Sequence, residues 1–310
     1  MKLKSVIYLT WLLCGSVSAG EALIQNAIDK QDYVLAFASA KADVDDGSAT
    51  DVTRLLLAQL YMQGKGTDKN SAAARALLEP LVARKLPEAQ FMLAGLLQSE
   101  ALTGLKMADG QLDLMRYAEL AKRDLVARED ERYAAELVYK AAQQHFKLAV
   151  EAICLDLGNS VTALGGTERA NWYRQCDKEN WAKASEMGQS HVPLYLRREV
   201  LQHPLVAAAF QNQALKAACT EENIKPIDFK ISKPVTGGEY LMLKLDDVKQ
   251  PKPYKMIRGK WQEVWVAQAC GQKFTVPIRF EADGMGKATF APDLPEDVMA
   301  ELLETVKAKK

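Results

Sequence analysis

Residues 57–70 read LAQLYMQGKGTDKN, and this stretch decides the fold that the sequence predicts. Its first half places apolar side chains at helical spacing. Gly64 and Gly66 then interrupt the helix, because glycine adopts backbone angles that other residues avoid. Asp68 is the expected N-cap of a second helix. That helix begins with alanines at 72, 73 and 76, which allow it to lie close to the first, so the stretch predicts two antiparallel helices joined by a glycine turn.

The same pattern returns further along the chain. The Leu-Ala pair at 57–58 recurs at 93–94, which is 36 residues later, and periods of this length are typical of stacked helix pairs. Pro87 suits the first turn of the helix that carries the second copy. Residues 22–40 predict one more helix pair, with a break at 30–32. The predicted fold class is therefore mainly α, a solenoid of α-α hairpins.

These residues resemble the Sel1 repeat, a relative of the tetratricopeptide repeat. Its pattern is an alanine- and leucine-rich helix, a tyrosine, Gly-x-Gly and then an alanine-rich helix. Residues 54–97 carry this pattern. Residues 135–149 and 181–188 resemble its second helix, with His145 near the usual glycine position and Gly188 retained. The resemblance implies that 20–222 form a Sel1- or TPR-like helical repeat domain.

Repeats of this type stack into an extended array with an inner groove, and such grooves bind peptides or protein surfaces. The resemblance therefore implies a protein-binding surface on the helices around 54–97 and 131–200. The same resemblance assigns Gly64 and Gly66 to the repeat turn.

The composition changes after residue 222, where prolines and glycines become frequent. Strand-like runs follow, and their predicted bounds are 239–245, 260–269, 273–281 and 287–291. Apolar and polar residues alternate through 273–281, which predicts one buried and one exposed face of an antiparallel sheet. Hairpin turns are expected at 270–272 and 283–286, and a closing helix at 294–307. Residues 223–310 are therefore predicted to form a small β-rich or α+β domain with a terminal helix.

Two tryptophans mark this C-terminal region. Trp261 and Trp265 lie four residues apart on a predicted strand, so they share one face with Glu263 between them. One interpretation is an aromatic contact surface for a sugar or a peptide, and the other is packing in the core, which we favour. Residues 255–291 resemble a small domain of exported bacterial proteins with no assigned activity, through Trp-x-Glu-x-Trp and Ala-Cys-Gly at 269–271.

The N-terminus has the features of a secretory signal peptide. Lys2 and Lys4 precede an apolar run at 6–14, which is too short to span a bilayer, and small residues precede Ala19. We therefore expect residues 1–19 to be a signal peptide. The prediction that follows is a periplasmic or secreted protein without stable membrane insertion after cleavage.

Cysteine usage favours the same compartment. Four cysteines remain after the signal peptide, namely Cys154, Cys176, Cys219 and Cys270. An even number in an exported chain suggests two disulfides, for which three pairings are possible. We favour Cys154–Cys176 and Cys219–Cys270, because each pair closes a short or moderate loop within one region.

The charge balance and the motifs argue against several function classes. The chain has 40 basic and 40 acidic residues, and loss of Lys2 and Lys4 leaves a net charge of −2, which gives no electrostatic reason to expect nucleic acid binding. The three histidines lack the spacing of a zinc site. The acidic loop that begins at Asp43 lacks the glycine and the glutamate that an EF-hand requires at set positions. We therefore predict no catalytic, cofactor-binding or metal-binding residues.

The leading functional hypothesis is an adaptor or scaffold, not an enzyme, that binds an unidentified protein of the cell envelope. The alternative is a cell-wall or β-lactam-directed binding protein or hydrolase, because some cysteine-rich Sel1-like proteins are linked to those ligands. A third possibility is that the β-rich region alone binds a ligand while the helices act as a spacer.

Overall fold

The computed structural model of the chain describes residues 18–103, 113–164, 166–176, 190–220, 224–246 and 248–308, together with 105, 107, 109 and 111. Its contacts divide it into two compact units, Met1–Met92 and Leu93–Lys310. A helical region precedes a four-stranded antiparallel sheet and a last helix, so the predicted fold class is confirmed. The predicted domain boundary between 222 and 223 stays a prediction. Residues 1–17 of the predicted signal peptide lie outside the part of the chain that the structure describes.

The first unit consists of helical hairpins. Its helices are α1 (Ala19–Asp29), α2 (Tyr33–Asp45), α3 (Asp51–Gln63) and α4 (Ser71–Ala83), and the division between the units falls within α5 (Pro87–Ala101). Side chains at the N-caps start these helices, because each accepts a hydrogen bond from a backbone N–H in the first turn. The N-caps of α1 to α4 are Ser18, Asp32, Thr50 and Asn70.

The turn between α3 and α4 has the predicted glycines in left-handed conformations, with φ of 65° at Gly64 and 72° at Gly66. Gly66 is also required by space, since a Cβ there would lie 2.0 Å from the carbonyl oxygen of Tyr33. The expected cap is different, because Asn70 and not Asp68 accepts the hydrogen bond from the first turn of α4. The turn thus holds α3 close to the start of α2.

Small side chains let these helices approach. Alanines at 27, 36 and 40 are buried together with Ile24, Leu57 and Leu60. The rings of Phe37 and Tyr61 meet edge to face at 5.1 Å. α3 contacts α1, α2 and α4, so each hairpin covers apolar surface of its neighbour.

The second unit contains further helices before the sheet. They are α6 (Leu114–Lys122), a 3-10 turn (Val126–Arg128), α7 (Glu129–Gln143), α8 (Lys147–Asn159), α9 (Gly166–Gln175), α10 (Leu194–Gln202) and α11 (Pro204–Lys216). His145 has a φ of 61° in the turn between α7 and α8, near the position where the Sel1 resemblance predicts a glycine. The predicted repeat element at 181–188 lies outside the described residues. None of the described helices is both long and apolar enough to cross a membrane.

The sheet has the order β1-β2-β3-β4, and every neighbouring pair is antiparallel. Its strands are β1 (Lys225–Leu243), β2 (Lys252–Ala269), β3 (Gln272–Ala282) and β4 (Ala288–Pro292), and α12 (Glu296–Ala308) follows. β1 and β2 begin earlier than predicted, because their prolines and glycines suggested a linker. The structure accommodates several of them at an edge strand with register shifts, which is where Pro and Gly are tolerated in sheets.

Alternation along the strands determines which side chains are buried. Phe274, Val276, Ile278 and Phe280 of β3 are all buried, as predicted, and they join one apolar core with residues of α10, α11 and α12. On β2 the core-facing side chains include Trp261 and Trp265. The opposite face of the sheet carries the polar side chains, and it forms part of the clefts described below.

Candidate functional site

A buried carboxylate lies at the centre of the Trp-x-Glu-x-Trp motif of β2. Glu263 is 0 % exposed, and it shares the core-facing side of the strand with Trp261 and Trp265. Both indole N–H groups donate to it, Trp261 Nε1 to Oε1 at 3.0 Å and Trp265 Nε1 to Oε2 at 2.9 Å. The alternation of the strand therefore places two donors beside one charged acceptor.

Two more donors come from a distant part of the chain. Ser190 donates from Oγ to Glu263 Oε2 at 2.7 Å, and the backbone N–H of His191 donates to Oε1 at 2.9 Å. Each carboxylate oxygen thus accepts two hydrogen bonds. A buried charge is stable only when it is hydrogen-bonded and compensated, and this arrangement meets the first condition.

Arginines stand near this carboxylate. Arg197 donates from Nε to the carbonyl of Val192 at 2.9 Å, and its guanidinium lies 4.9 Å from the ring centroid of Phe229. Arg169 donates to the carbonyl of Ser190 at 3.3 Å. Burial lowers the pKa of the His191 imidazole, Glu263 acts in the opposite direction and Arg169 adds to the lowering. Burial and the positive charge of Arg169 therefore favour a neutral His191.

This buried network joins two distant parts of the chain, and both of its indole rings are buried. Trp261 is 3 % and Trp265 is 1 % exposed, so neither indole can serve as an exposed stacking platform. The physical reason is that both rings fill the core, where Trp261 stacks on Phe280 at 5.2 Å. The network joins the segment before α10 to the middle of the sheet.

A second polar cluster joins the helices to the start of β2. Tyr139 of α7 donates to Glu168 of α9, and Lys252 Nζ donates to the Tyr139 hydroxyl at 3.1 Å. Nearby, the buried Tyr254 donates to Asp156 of α8 at 2.9 Å. Burial raises the pKa of both tyrosine hydroxyls, and their carboxylate partners raise it further. Both tyrosines therefore stay protonated and act as donors that hold the helices to the sheet.

Both disulfides are present with the pairing that the sequence favours. Cys154 of α8 is bonded to Cys176 just after α9, and Cys219 after α11 is bonded to Cys270 in the turn between β2 and β3. The first bond joins two helices, and the second joins the end of a helix to the sheet. Gly64 and Gly66, the residues of the predicted repeat turn, belong to the other compact unit.

An open surface lies on the polar side of the sheet, opposite the buried carboxylate. A cleft of about 430 Å³ is lined by Lys233, Lys260, Gln262 and Arg279 among others. Lys260 and Gln262 alternate along β2 with Trp261 and Glu263, so they point away from the core. A second cleft of about 780 Å³ lies between α6 and the sheet, and the two clefts share Thr236, Lys260 and Glu281. They form one surface across β1, β2 and β3.

The charged groups of these clefts are mostly paired at exposed positions. Lys260 lies 3.1 Å from Glu281 on the neighbouring strand. Arg279 lies 3.1 Å from Asp293, and Arg258 lies 2.5 Å from Glu239. Exposed pairs of this kind contribute only about 0 to 1 kcal/mol each, so a ligand can replace a partner at little cost.

In the second cleft, Tyr117 of α6 donates to Asp283 Oδ2 at 3.4 Å. Burial together with this carboxylate raises the pKa of the Tyr117 hydroxyl to about 12.

The sequence did not predict these clefts or the role of Ser190 and His191, because no local pattern marks the clefts or these two residues. Among the described residues no group of three or more His, Cys, Asp or Glu side chains could hold a metal ion.

Comparison of the chain with protein-family models, curated proteins and solved structures gives no significant match.

Proposed function

We propose that the chain is an exported adaptor of the Sel1 type that binds a protein of the cell envelope through its helical hairpins. The single observation that carries the proposal is the packing of α3, which contacts the helix pair before it as well as its own partner α4. Stacked hairpins of this kind present long continuous surfaces, and such surfaces bind protein or peptide partners.

The turn geometry supports the Sel1 interpretation of this hairpin. Gly64 ends α3 in a left-handed conformation, and Gly66 allows the turn to approach Tyr33 of the preceding hairpin. The Gly-x-Gly turn therefore allows one helix pair to stack on the next. The same reasoning accounts for the resemblance of 54–97 to the repeat pattern.

The two disulfides support export, because disulfides persist in oxidising compartments and are rare in the cytosol. Periplasmic or secreted location is therefore part of the proposal. The Trp-x-Glu-x-Trp motif does not favour the alternative of a protein that binds cell-wall or β-lactam ligands, since the Trp and Glu side chains of the motif are buried.

Site-specific photocrosslinking of the full chain in cells tests this function. Exposed apolar side chains of the first unit are natural partner contacts, and three of them are Leu23, Val34 and Leu35, at 48 %, 70 % and 43 % exposure. A photoreactive amino acid is placed at each of these positions in turn. Matched controls carry it at Lys69 or Glu79, which are exposed polar positions of the same unit.

We expect an adduct with one envelope protein from at least one apolar position and from neither control. The purified partner should then bind the purified chain, and Val34→Glu should weaken Kd at least about tenfold, as substitutions in the centre of an interface do. The proposal fails if no position gives an adduct. It also fails if the purified chain turns over muropeptides or is covalently labelled by penicillin, since that result supports the alternative.

A further inference from the structure

The clefts on the polar face of the sheet carry more positive than negative charge in a chain whose overall net charge is zero. Their lining includes five basic side chains and two acidic ones, Glu281 and Asp283. Two further carboxylates outside the lining, Asp293 and Glu239, pair with lining side chains, so the excess is one positive charge. The basic side chains are Lys122, Lys233, Arg258, Lys260 and Arg279. A cleft lined mainly by one sign of charge attracts ligands of the opposite sign.

A buried arginine stands behind one wall of the second cleft. Arg128 is 4 % exposed and donates to the carbonyls of Leu120 and Ala121 at 2.9 and 3.1 Å. Its Nε and Nη1 have no hydrogen-bond partner, and Glu131 lies 3.6 Å from Nη1. A buried and incompletely compensated charge is screened by water much less than an exposed one, so it adds to the positive potential of the cleft.

The backbone of β1 is open beside these charges. β1 is an edge strand, and register shifts on both sides of Thr236 release its backbone from regular pairing with β2. Gly237 lines the second cleft, and a Cβ placed on it would meet no described atom within 4 Å. An edge strand with open N–H and C=O groups can pair with an extended peptide.

The geometry points to a binding site for an extended acidic peptide segment along the polar face of this sheet. We propose that its carboxylates contact Lys122, Lys233 and Lys260 while its backbone lies beside 236–238. Lys260 would exchange its exposed pair with Glu281 for the ligand, and Lys233 would exchange its pair with Asp293. This site uses other residues than the helical surface of the proposed function, so each can fail without the other.

Isothermal titration calorimetry with the full chain tests the site. The probes are three blocked hexapeptides that alternate valine with glutamate, glutamine or lysine, together with acetate and inorganic phosphate. We expect one molecule of the glutamate peptide to bind per chain, with weaker binding of the glutamine peptide and none of the lysine peptide. Raising the salt from about 0.1 M to about 1 M should weaken this binding strongly, because the screening length falls from about 10 Å to about 3 Å.

Two variants of opposite sign locate the binding surface. Lys233→Gln with Lys260→Gln should raise Kd about 5- to 20-fold, on the scale of two exposed charge pairs. Glu281→Gln removes the competitor of Lys260 and should lower Kd about 2- to 5-fold. The matched control changes Lys147 and Lys307 to Gln, because both are exposed and lie outside the clefts.

Three results would overturn this site. In the first, acetate or phosphate binds as tightly as the peptide, which would show a simple anion site. In the second, the control weakens binding as much as the cleft variant does. In the third, the glutamate peptide does not bind, or muropeptides bind more tightly than it does. Circular dichroism of each variant checks that the fold is intact.

Discussion

The buried carboxylate of the sheet yields the sharpest stability prediction. In Glu263→Gln, one acceptor oxygen becomes an NH2 group in a site where four donors converge. The Ser190 hydroxyl can rotate and accept a hydrogen bond from the new amide. The NH2 group should therefore occupy the position that Oε2 has in the native chain. The indole N–H of Trp265 then loses its acceptor and stays buried.

The magnitude follows from the individual bonds. A buried donor without an acceptor costs about 1 to 3 kcal/mol, and hydrogen bonds to a charged group contribute about 1 kcal/mol more than neutral ones. With one donor unpaired and the other bonds weakened, the free energy of unfolding should fall by about 4 kcal/mol, within the range for breaking a buried charged network. Glu263→Leu should cost more, because all four donors lose their acceptor.

Urea unfolding followed by tryptophan fluorescence measures this effect. Every tryptophan after residue 20 belongs to the second compact unit, so the signal reports the unfolding of that unit. With a slope of about 2 kcal/mol per M, the midpoint should fall by about 2 M. The control Glu304→Gln removes an exposed i,i+3 pair with Lys307 and should change stability by less than about 0.5 kcal/mol. A loss below about 1 kcal/mol for Glu263→Gln would refute the reasoning.

Three further predictions concern other parts of the chain. Gly66→Ala should destabilise the first unit by more than about 2 kcal/mol, because the new Cβ would clash with Tyr33. Gly47→Ala has a similar φ but free space around the new Cβ, so it should cost about 1 to 2 kcal/mol. Hydrogen exchange of peptides from the hairpins distinguishes the two variants. Replacing Cys219 and Cys270 by serine should cost about 4 kcal/mol for a separation of 51 residues, measured by thermal unfolding; an unchanged Tm would contradict it. Burial lowers the pKa of His191 below that of the unfolded chain, so the neutral imidazole contributes stability above about pH 6.5. This contribution is lost as the pH falls, because the buried imidazole must be protonated. The His191→Phe variant should therefore lose less stability between pH 7 and 5 than the native chain.

Much of the fold could be predicted because its signals are local. Helical spacing, caps and the glycine turn at 64–66 lie within a few residues of each other, and the alternation of 273–281 shows directly which face is buried. The early parts of β1 and β2 were missed because Pro and Gly at 226–238 and 251–253 weaken the local strand signal. In β1 these residues are accommodated by an edge position and by register shifts against β2, which only the neighbouring strand reveals.

The sites depend on contacts that the sequence does not place. The Trp-x-Glu-x-Trp pattern predicts three side chains on one face, but Ser190 reaches Glu263 from 73 residues earlier in the chain. The clefts likewise gather side chains from α6 and all four strands, and each residue taken alone is an ordinary surface lysine or arginine. Tertiary packing alone brings these groups together, so no spacing rule could have found them.

The two faces of β2 give the proposals an internal test. Trp261, Glu263 and Trp265 face the core, while Lys260 and Gln262, which alternate with them along the strand, face the clefts. Successive side chains of a strand point to opposite sides. A change at Glu263 should therefore lower stability and leave the peptide affinity of the folded fraction unchanged. A change at Lys260 should do the reverse, since it is exposed and weakly paired. If both changes altered both quantities equally, the sheet would be acting as one coupled element, and stability and binding could not be assigned to separate faces.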